Sequence, residues 1–348
     1  MRSKPCPPST PASKPLSPVN RPTLADVAKV AGVSKITASR ALGNPTIVSE
    51  ATRLKVQEAV AKTGYVPNLL AGGLKSARSR LVACLVPTIS SGSAFILAVQ
   101  SLTETLAASG YQVMLGQRGY GEQGEDALLD AVIGRRVDGI VLIGAMQTSS
   151  LRQRLRDTGI PVIEAWDMTR TPIDMLVGFS HEKIGAAVAN YVHSKGYRKP
   201  TMIVAREPRS TARGHGFLKE ARRLGYGDVP ATRIDAPTRM RHGRQGAAEL
   251  LRQHPDLDVI FCATDLVALG AITELHTQGK RVPDDIGIVG FGDLDFAVDA
   301  EPPLTTVQID SIEIGRRAAR MLVERIEGGP IADPVVDLGF TVMERASG

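Results

Sequence analysis

Aromatic residues are scarce in this chain: one Trp, six Tyr and seven Phe make up 4% of it, beside an ordinary 43% of hydrophobic residues. That balance fits a soluble α/β protein whose core is aliphatic. Cysteine is scarcer still. Cys6, Cys84 and Cys262 are an odd number, far apart, with neither metal-ligand spacing nor a disulfide framework, so a reduced, cytoplasmic chain is expected. The first twenty residues hold no apolar run that could serve as a secretory core or cross a bilayer. The enzyme signatures are missing too: there is no Gly-rich strand-to-helix turn, no GxSxG and no HExxH. Gly214 and Gly216 flank His215, but without the other elements of a phosphate cradle they carry no such meaning, and His181 and His215 read as surface or packing histidines. No catalytic residue, metal or cofactor is expected.

What is present is unevenly spread. The 348 residues suffice for two or three domains, and the net charge of +6 conceals an asymmetry. Residues 1–80 hold 13 Lys+Arg against 3 Asp+Glu, leaving 29 against 33 for the rest. Cations gathered at one end suit a polyanionic partner such as nucleic acid. The first twenty residues are dense in Pro, Ser and Lys, and disorder is the expectation there.

Residues 23–40, TLADVAKVAGVSKITASR, spell two short helices joined by a tight turn. Leu24, Val27, Ala28 and Ala31 recur at helical spacing, and Asp26 suits the positive end of the first helix dipole. Gly32 breaks that helix, Val33 plugs the angle, and Ser34 is placed to cap the second. Ala38 and Ala41 would be buried, leaving Lys35, Ile36, Thr37, Ser39 and Arg40 outward, as a recognition helix in a major groove requires. Arg40 is the expected guanine reader, because its fork can bond O6 and N7 together. A third helix is expected over 49–63, capped by Ser49, with Leu54 and Val60 on its inner face and Gly64 ending it. Next comes LLAGGLK, too glycine-rich to be a stable helix alone.

Those phrases, with SRALGNP, VSEATRLKVQEAV and GYVPN, resemble the DNA-binding end of the lactose/galactose repressor family. The similarity continues through VDGIVLIG, GIPVIE, RGHGF, VIFCATDLVALGA, VPDDIGIVGFGD and PPLTTVQID, while YQVMLGQRGY, MLVGFS and VVDLGFTV resemble its gluconate-utilisation branch. It covers all but the first tail. The fold class implied is α/β, with a three-helix helix-turn-helix domain at 21–66, a hinge helix at 67–79, and a two-lobed, periplasmic-binding-protein-like core of two parallel-sheet subdomains at 80–348. Lobe 1 is expected at about 80–178 and 310–335, lobe 2 at about 179–309 and 336–345. The candidate DNA contacts are Thr23, Ser34, Lys35, Ile36, Thr37, Ser39, Arg40, Asn44, Ser49 and Thr52. Asn68, Ala71 and Leu74 of the hinge join them, Leu74 matching the leucine that wedges into the minor groove.

From Leu81 onward, short apolar runs alternate with amphipathic helical stretches, the rhythm of parallel sheets wrapped by helices. Residues 335–342 read as a final strand, with too little chain beyond for a heptad tail, so a dimer is expected. Ligands of such sheets sit beyond the carboxyl ends of the strands. The candidate effector residues are accordingly Ser90, Phe95, Ile143, Glu164, Trp166, Phe179, Arg213, Thr264, Asp265, Phe291 and Asp293. Arg213, in Arg-Gly-His-Gly-Phe, matches the family arginine that holds the effector's polar end, and a guanidinium grips a carboxylate with two parallel bonds. Phe179 and Phe291 serve equally as core residues, and Asp265 as a helix cap. Where many sugar-responsive relatives place an acid, this chain has Gly292 and then Asp293. A less acidic pocket favours a sugar acid such as gluconate or a keto- or phospho-derivative, although Glu164, Asp167 and Asp293 would oppose an anion if they faced the cleft.

The resemblance implies a homodimer on a near-palindromic double-stranded operator, with hinges that fold when packed on DNA and part when an effector binds. Two rivals compete. A periplasmic sugar-binding transport protein would need an export signal and has no use for residues 23–40. A family member that represses when a corepressor binds shares every motif.

Overall fold

The computed structural model describes residues 22–66, 78–89, 94–119, 125–144 and 148–348, and the chain divides into one unit ending at Ser79 and another running from Arg80 to Gly348. The expected DNA contacts Asn68, Ala71 and Leu74, and the expected effector residue Ser90, lie outside the described residues.

In the first unit, α1 (Leu24–Ala31), α2 (Lys35–Gly43) and α3 (Glu50–Thr63) close on Val27, Ala41, Val56 and Ala59. Gly32 takes the left-handed conformation at φ +63°, which lets the Val33 N–H return to the Ala28 carbonyl at 3.0 Å and ends α1. Ser34 and Ser49 cap α2 and α3, their hydroxyls accepting from Thr37 N–H and Thr52 N–H. The inner face of α3 differs from expectation. Val56 and Ala59 are buried, Val60 is half-buried, and Leu54 is 51% exposed. Two residues along a helix are about 200° around its axis, so once Val56 points inward Leu54 must point out.

In the second unit, one parallel sheet comprises β1 (Leu81–Val86), β2 (Gln112–Gln117), β3 (Gly139–Ile143), β4 (Val162–Asp167), β5 (Met175–Phe179) and β11 (Val335–Asp337), in the order β11-β5-β4-β3-β1-β2. The other comprises β6 (Pro200–Ala205), β7 (Ala231–Ile234), β8 (Val259–Cys262) and β9 (Gly287–Val289), in the order β7-β6-β8-β9. Strands such as LVACLV and GIVLI are buried almost throughout, as strands covered on both faces must be. Around them lie α4 (Phe95–Ala108), α5 (Glu125–Gly134), α6 (Ser149–Asp157), α7 (His181–Ser194), α8 (Pro208–Arg223), α9 (Met240–Gln253), α10 (Asp265–Thr277) and α11 (Ser311–Ile326).

The single final strand expected over 335–342 is two. β11 pairs parallel with β5, and β12 (Thr341–Met343) pairs antiparallel with β10 (Thr306–Gln308). Gly339, at φ +68°, makes the turn that carries the chain from one pairing to the other.

Helix pairs in this unit cross on glycine. A Cβ on Gly185 of α7 would collide with the Arg213 carbonyl of α8, and one on Gly216 of α8 with the Glu182 carbonyl of α7. Gly243 of α9 and Gly270 of α10 repeat this reciprocal contact against the Val267 and Met240 carbonyls. Backbones this close leave no volume for a side chain, so Gly216 of the Arg-Gly-His-Gly-Phe phrase serves helix packing, whereas Gly214 faces Val204 at ordinary contact distance.

Candidate functional site

The helix-turn-helix presents the outward face its pattern requires. Lys35, Ile36, Ser39 and Arg40 are exposed and Thr37 is half-buried, its hydroxyl 2.8 Å from that of Ser34. Ile36 is 66% exposed. Thr23 donates from its N–H and hydroxyl to Asp26, which holds that carboxyl below the ordinary aspartate range. Asn44 ends α2 and accepts from the Thr46 hydroxyl, while Ser49 and Thr52 pair their hydroxyls at 2.9 Å.

In the core, the carboxyl ends of strands from both sheets bring together a chain of charged and aromatic side chains. Arg213, 3% exposed on α8, donates from Nη2 to the Ala263 carbonyl at 2.8 Å and from Nη1 to His181 Nδ1 at 3.0 Å. A guanidinium can only donate, so Nδ1 accepts and the neutral imidazole carries its proton on Nε2, which donates to Asp167 at 2.9 Å. Burial holds His181 below the ordinary histidine range, with adjacent Arg213 acting in the same direction. Asp167 also pairs with Arg209, at 3.2 Å. Burial lowers Arg213 to about 10, which still leaves it charged at neutral pH. Its guanidinium carbon lies 3.8 Å from the centre of the Phe291 ring, and its Nε is buried without a hydrogen-bond partner.

The predicted aromatics extend this chain. Phe95 meets Trp166 edge-on at 6.0 Å, Trp166 meets Phe179 at 5.3 Å, and Phe179 lies 6.4 Å from Phe291. Trp166 sits at φ +86°, a conformation that costs a tryptophan on the order of 1–3 kcal/mol and that its neighbours must hold. Ile143, ending β3, contributes its carbonyl, which accepts from Arg209 Nη2 at 3.2 Å and from Arg118 Nη2 at 3.3 Å. Thr264 caps α10 and meets the Thr238 hydroxyl at 3.3 Å.

Three predicted acids are engaged elsewhere. Glu164, mid-strand in β4, is buried and held by Arg152 at 2.7 Å and by the Ile173 N–H. Asp293 is paired with Arg345 at 2.7 Å and accepts from Gln308. Asp265 accepts from the Leu294 N–H at 2.8 Å and the Thr306 hydroxyl at 2.5 Å, bracing the segment after β9. Gly292, beside it at φ +130°, would strain any side chain placed there. Arg209 and Arg118 escaped sequence reasoning. For Arg209 a signal existed: it stands four residues before Arg213, on the same face of one helix.

Burial lifts Asp265 to about 6, above the ordinary aspartate value. A carboxyl whose folded pKa is raised stabilises the fold while protonated; that contribution is complete below about pH 4 and is lost as pH rises through about 6. Asp265→Asn keeps an acceptor for Leu294 and cannot ionise. Relative to wild type it is expected to gain roughly 3 kcal/mol between about pH 4 and 7 and to hold a constant difference above that. Chemical denaturation at stepped pH measures this, and a difference that does not vary with pH would assign Asp265 an ordinary ionisation.

Among the described residues no group of His, Cys, Asp and Glu could hold a metal ion, and no helix is long and apolar enough to cross a membrane.

Comparison with known proteins gives a consistent result. Residues 23–68 match the family model described as bacterial regulatory proteins, lacI family, and residues 189–348 match the periplasmic binding protein-like domain. The HTH-type transcriptional regulator GntR of Pseudomonas aeruginosa is 34% identical over 330 residues, covering 94% of this chain and 96% of that protein. The HTH-type transcriptional repressor CytR of Escherichia coli is 30% identical over 308 residues, covering 88% and 90%. A solved transcriptional regulator of the same family from Silicibacter pomeroyi superimposes with a TM-score of 0.87 at 30% identity, covering 93% of this chain and 98% of that one.

Proposed function

The chain belongs to the lacI family of bacterial regulatory proteins and is a DNA-binding transcriptional regulator, and from that premise we propose that it represses sugar-acid catabolic genes and leaves its operator when a small acid, of the gluconate type, occupies the cleft of its core. The observation that carries the proposal is the sign of the charge at the strand ends. Arg213 and Arg209 stand there with Asp167, while Glu164 and Asp293 are bound to other arginines, Asp265 is held by Leu294 and Thr306, and Gly292 brings no carboxylate. Such a site repels a neutral-sugar design based on carboxylate acceptors and attracts an anion.

The effector contacts in this proposal are Arg213 at the polar end and Phe95, Trp166, Phe179 and Phe291 as apolar faces, with Ser90, Ile143 and Thr264 as further contacts. Asp265 and Asp293 act from behind as braces. The DNA contacts are those of α2 and its flanks together with Asn68, Ala71 and Leu74, used by a homodimer on a near-palindromic operator in the cytoplasm. No catalysis is involved. The domain limits follow the same scheme, with 67–79 as the hinge.

Titrating candidate acids into an operator-binding assay tests the proposal: release supports it, retention makes the ligand a corepressor, and indifference to every sugar acid removes the effector class. Arg40→Ala is expected to weaken operator binding by about 1–3 kcal/mol and to relax preference at one base pair. Binding to a set of single-base operator variants checks this; uniform weakening across them would make Arg40 a phosphate contact instead.

A further inference from the structure

We propose that His181 is a positioning residue for the effector: its neutral imidazole, locked by Asp167 in one tautomer, aligns the Arg213 guanidinium, so a proton added to the ring weakens effector binding. The inference rests on the cleft reading above, in which Arg213 holds the effector's polar end.

The ring is 6% exposed and both of its nitrogens are engaged, Nε2 with Asp167 at 2.9 Å and Nδ1 with Arg213 Nη1 at 3.0 Å. Its place follows from the chain. His181 opens α7 directly after β5, and one turn later, on the same helix face, Gly185 lies against the Arg213 carbonyl. The glycine crossing that brings α7 and α8 together therefore sets the ring against the guanidinium. With Nη1 held by His181 and Nη2 by the Ala263 carbonyl, the guanidinium plane is fixed, and with it the direction of Nε–H, a buried donor without a hydrogen-bond partner. Asp167 ends β4 of the first sheet, and α8 lies on β6 of the second through Gly214 and Val204. The ring thus ties the grip of Arg213 to the spacing between the two halves of the core.

Only the neutral ring can do this. A guanidinium has no acceptor to offer, so a protonated Nδ1 would face a donor, and a further cation would stand against Arg213. The charged groups facing the ring are Arg213 and Arg209 of α8 and Asp167 of β4, and the rings of Phe179 and Phe291 wall it at 4.8 and 5.9 Å between centres. Two cations against one carboxylate, burial, and the positive end of the α7 dipole all oppose a charged imidazole.

The test is calorimetric titration of the full-length protein with D-gluconate, L-idonate and D-galactonate between about pH 5 and about pH 8, a range in which such carboxylates stay ionised. Wild type is expected to bind at least one acid with an affinity that is constant near the upper limit and falls, by up to about tenfold per pH unit, as the ring gains its proton. His181→Asn keeps an acceptor near the Nδ1 position and cannot ionise, so it should bind within about threefold of wild type at about pH 8 and lack the part of the fall that belongs to the ring. Asp265 titrates in the same range and is common to both curves. His181→Phe keeps a ring but no acceptor and should bind about tenfold more weakly at about pH 8, while in an Arg213→Ala background the same substitution should cost nothing further. Should the phenylalanine variant not fold, the asparagine profile decides alone. Asparagine and phenylalanine variants equally weak, wild-type and asparagine curves that stay parallel, or wild-type binding that tightens toward acid each overturn the inference while the cleft reading stands. Wild type binding none of these acids, or Arg213→Ala binding them as wild type does, overturns the cleft reading and this inference with it.

Discussion

Arg213→Ala is expected to bind operator as wild type does and to remain bound at effector concentrations that empty the wild-type complex. The substitution removes the donor to Ala263 and His181 and the cation above Phe291, at the end of the molecule that does not read DNA. Losing a buried charged donor costs roughly 3 kcal/mol of ligand binding, about a hundredfold in effector affinity. The coupling between the sites is reciprocal, so an effector that no longer binds cannot shift operator affinity. Anisotropy of a labelled operator, read with and without effector, measures both quantities in one cell. Normal release by the variant would remove Arg213 from the site, and loss of operator binding without effector would mean that the residue serves the fold.

Gly216→Val should be among the most destabilising single changes in the core. The Glu182 carbonyl occupies the place its Cβ would take, and the Arg213 carbonyl rests on Gly185 in the reciprocal contact, so α7 and α8 must separate for the side chain to enter. Overpacking of this kind costs on the order of 3 kcal/mol, which lowers the melting temperature by roughly 5–10 °C in a domain of this size. The displaced helix carries Arg209 and Arg213, so effector affinity should fall together with stability. Thermal melts of wild type, Gly216→Ala and Gly216→Val should form a graded series; a valine variant as stable as wild type would show that the helices can part at no cost.

How much of this was legible in advance depended on the range of the interaction. Gly32, Ser34, Ser49 and Gly64 act on backbone groups a few residues away, and each stands where its chemistry placed it. Leu54 failed because an apolar residue near a helix start does not declare which face will be buried; Val56 and Ala59 took that face. The strand ends located the cluster, and Arg213, Phe179, Trp166 and Phe291 gather there. Glu164 stood in the same stretch of sequence as Asp167, yet alternation along β4 turns it toward Arg152 while Asp167, at the strand's end, meets His181 and Arg209.

The sequence by itself determined the helix-turn-helix, the two parallel sheets and the family, because capping, periodicity and strand-end motifs are local in the chain. Only the tertiary structure decided which charges pair with which. Ion pairs such as Arg152 with Glu164 or Arg345 with Asp293 join residues 12 and 52 positions apart, and the meeting of Arg118 with Arg209 at Ile143 joins three segments. Electrostatic partnership depends on distance in space, which chain order does not record, so neither the partners of Glu164, Asp265 and Asp293 nor the approach of Arg118 and Arg209 to the Ile143 carbonyl could be read in advance.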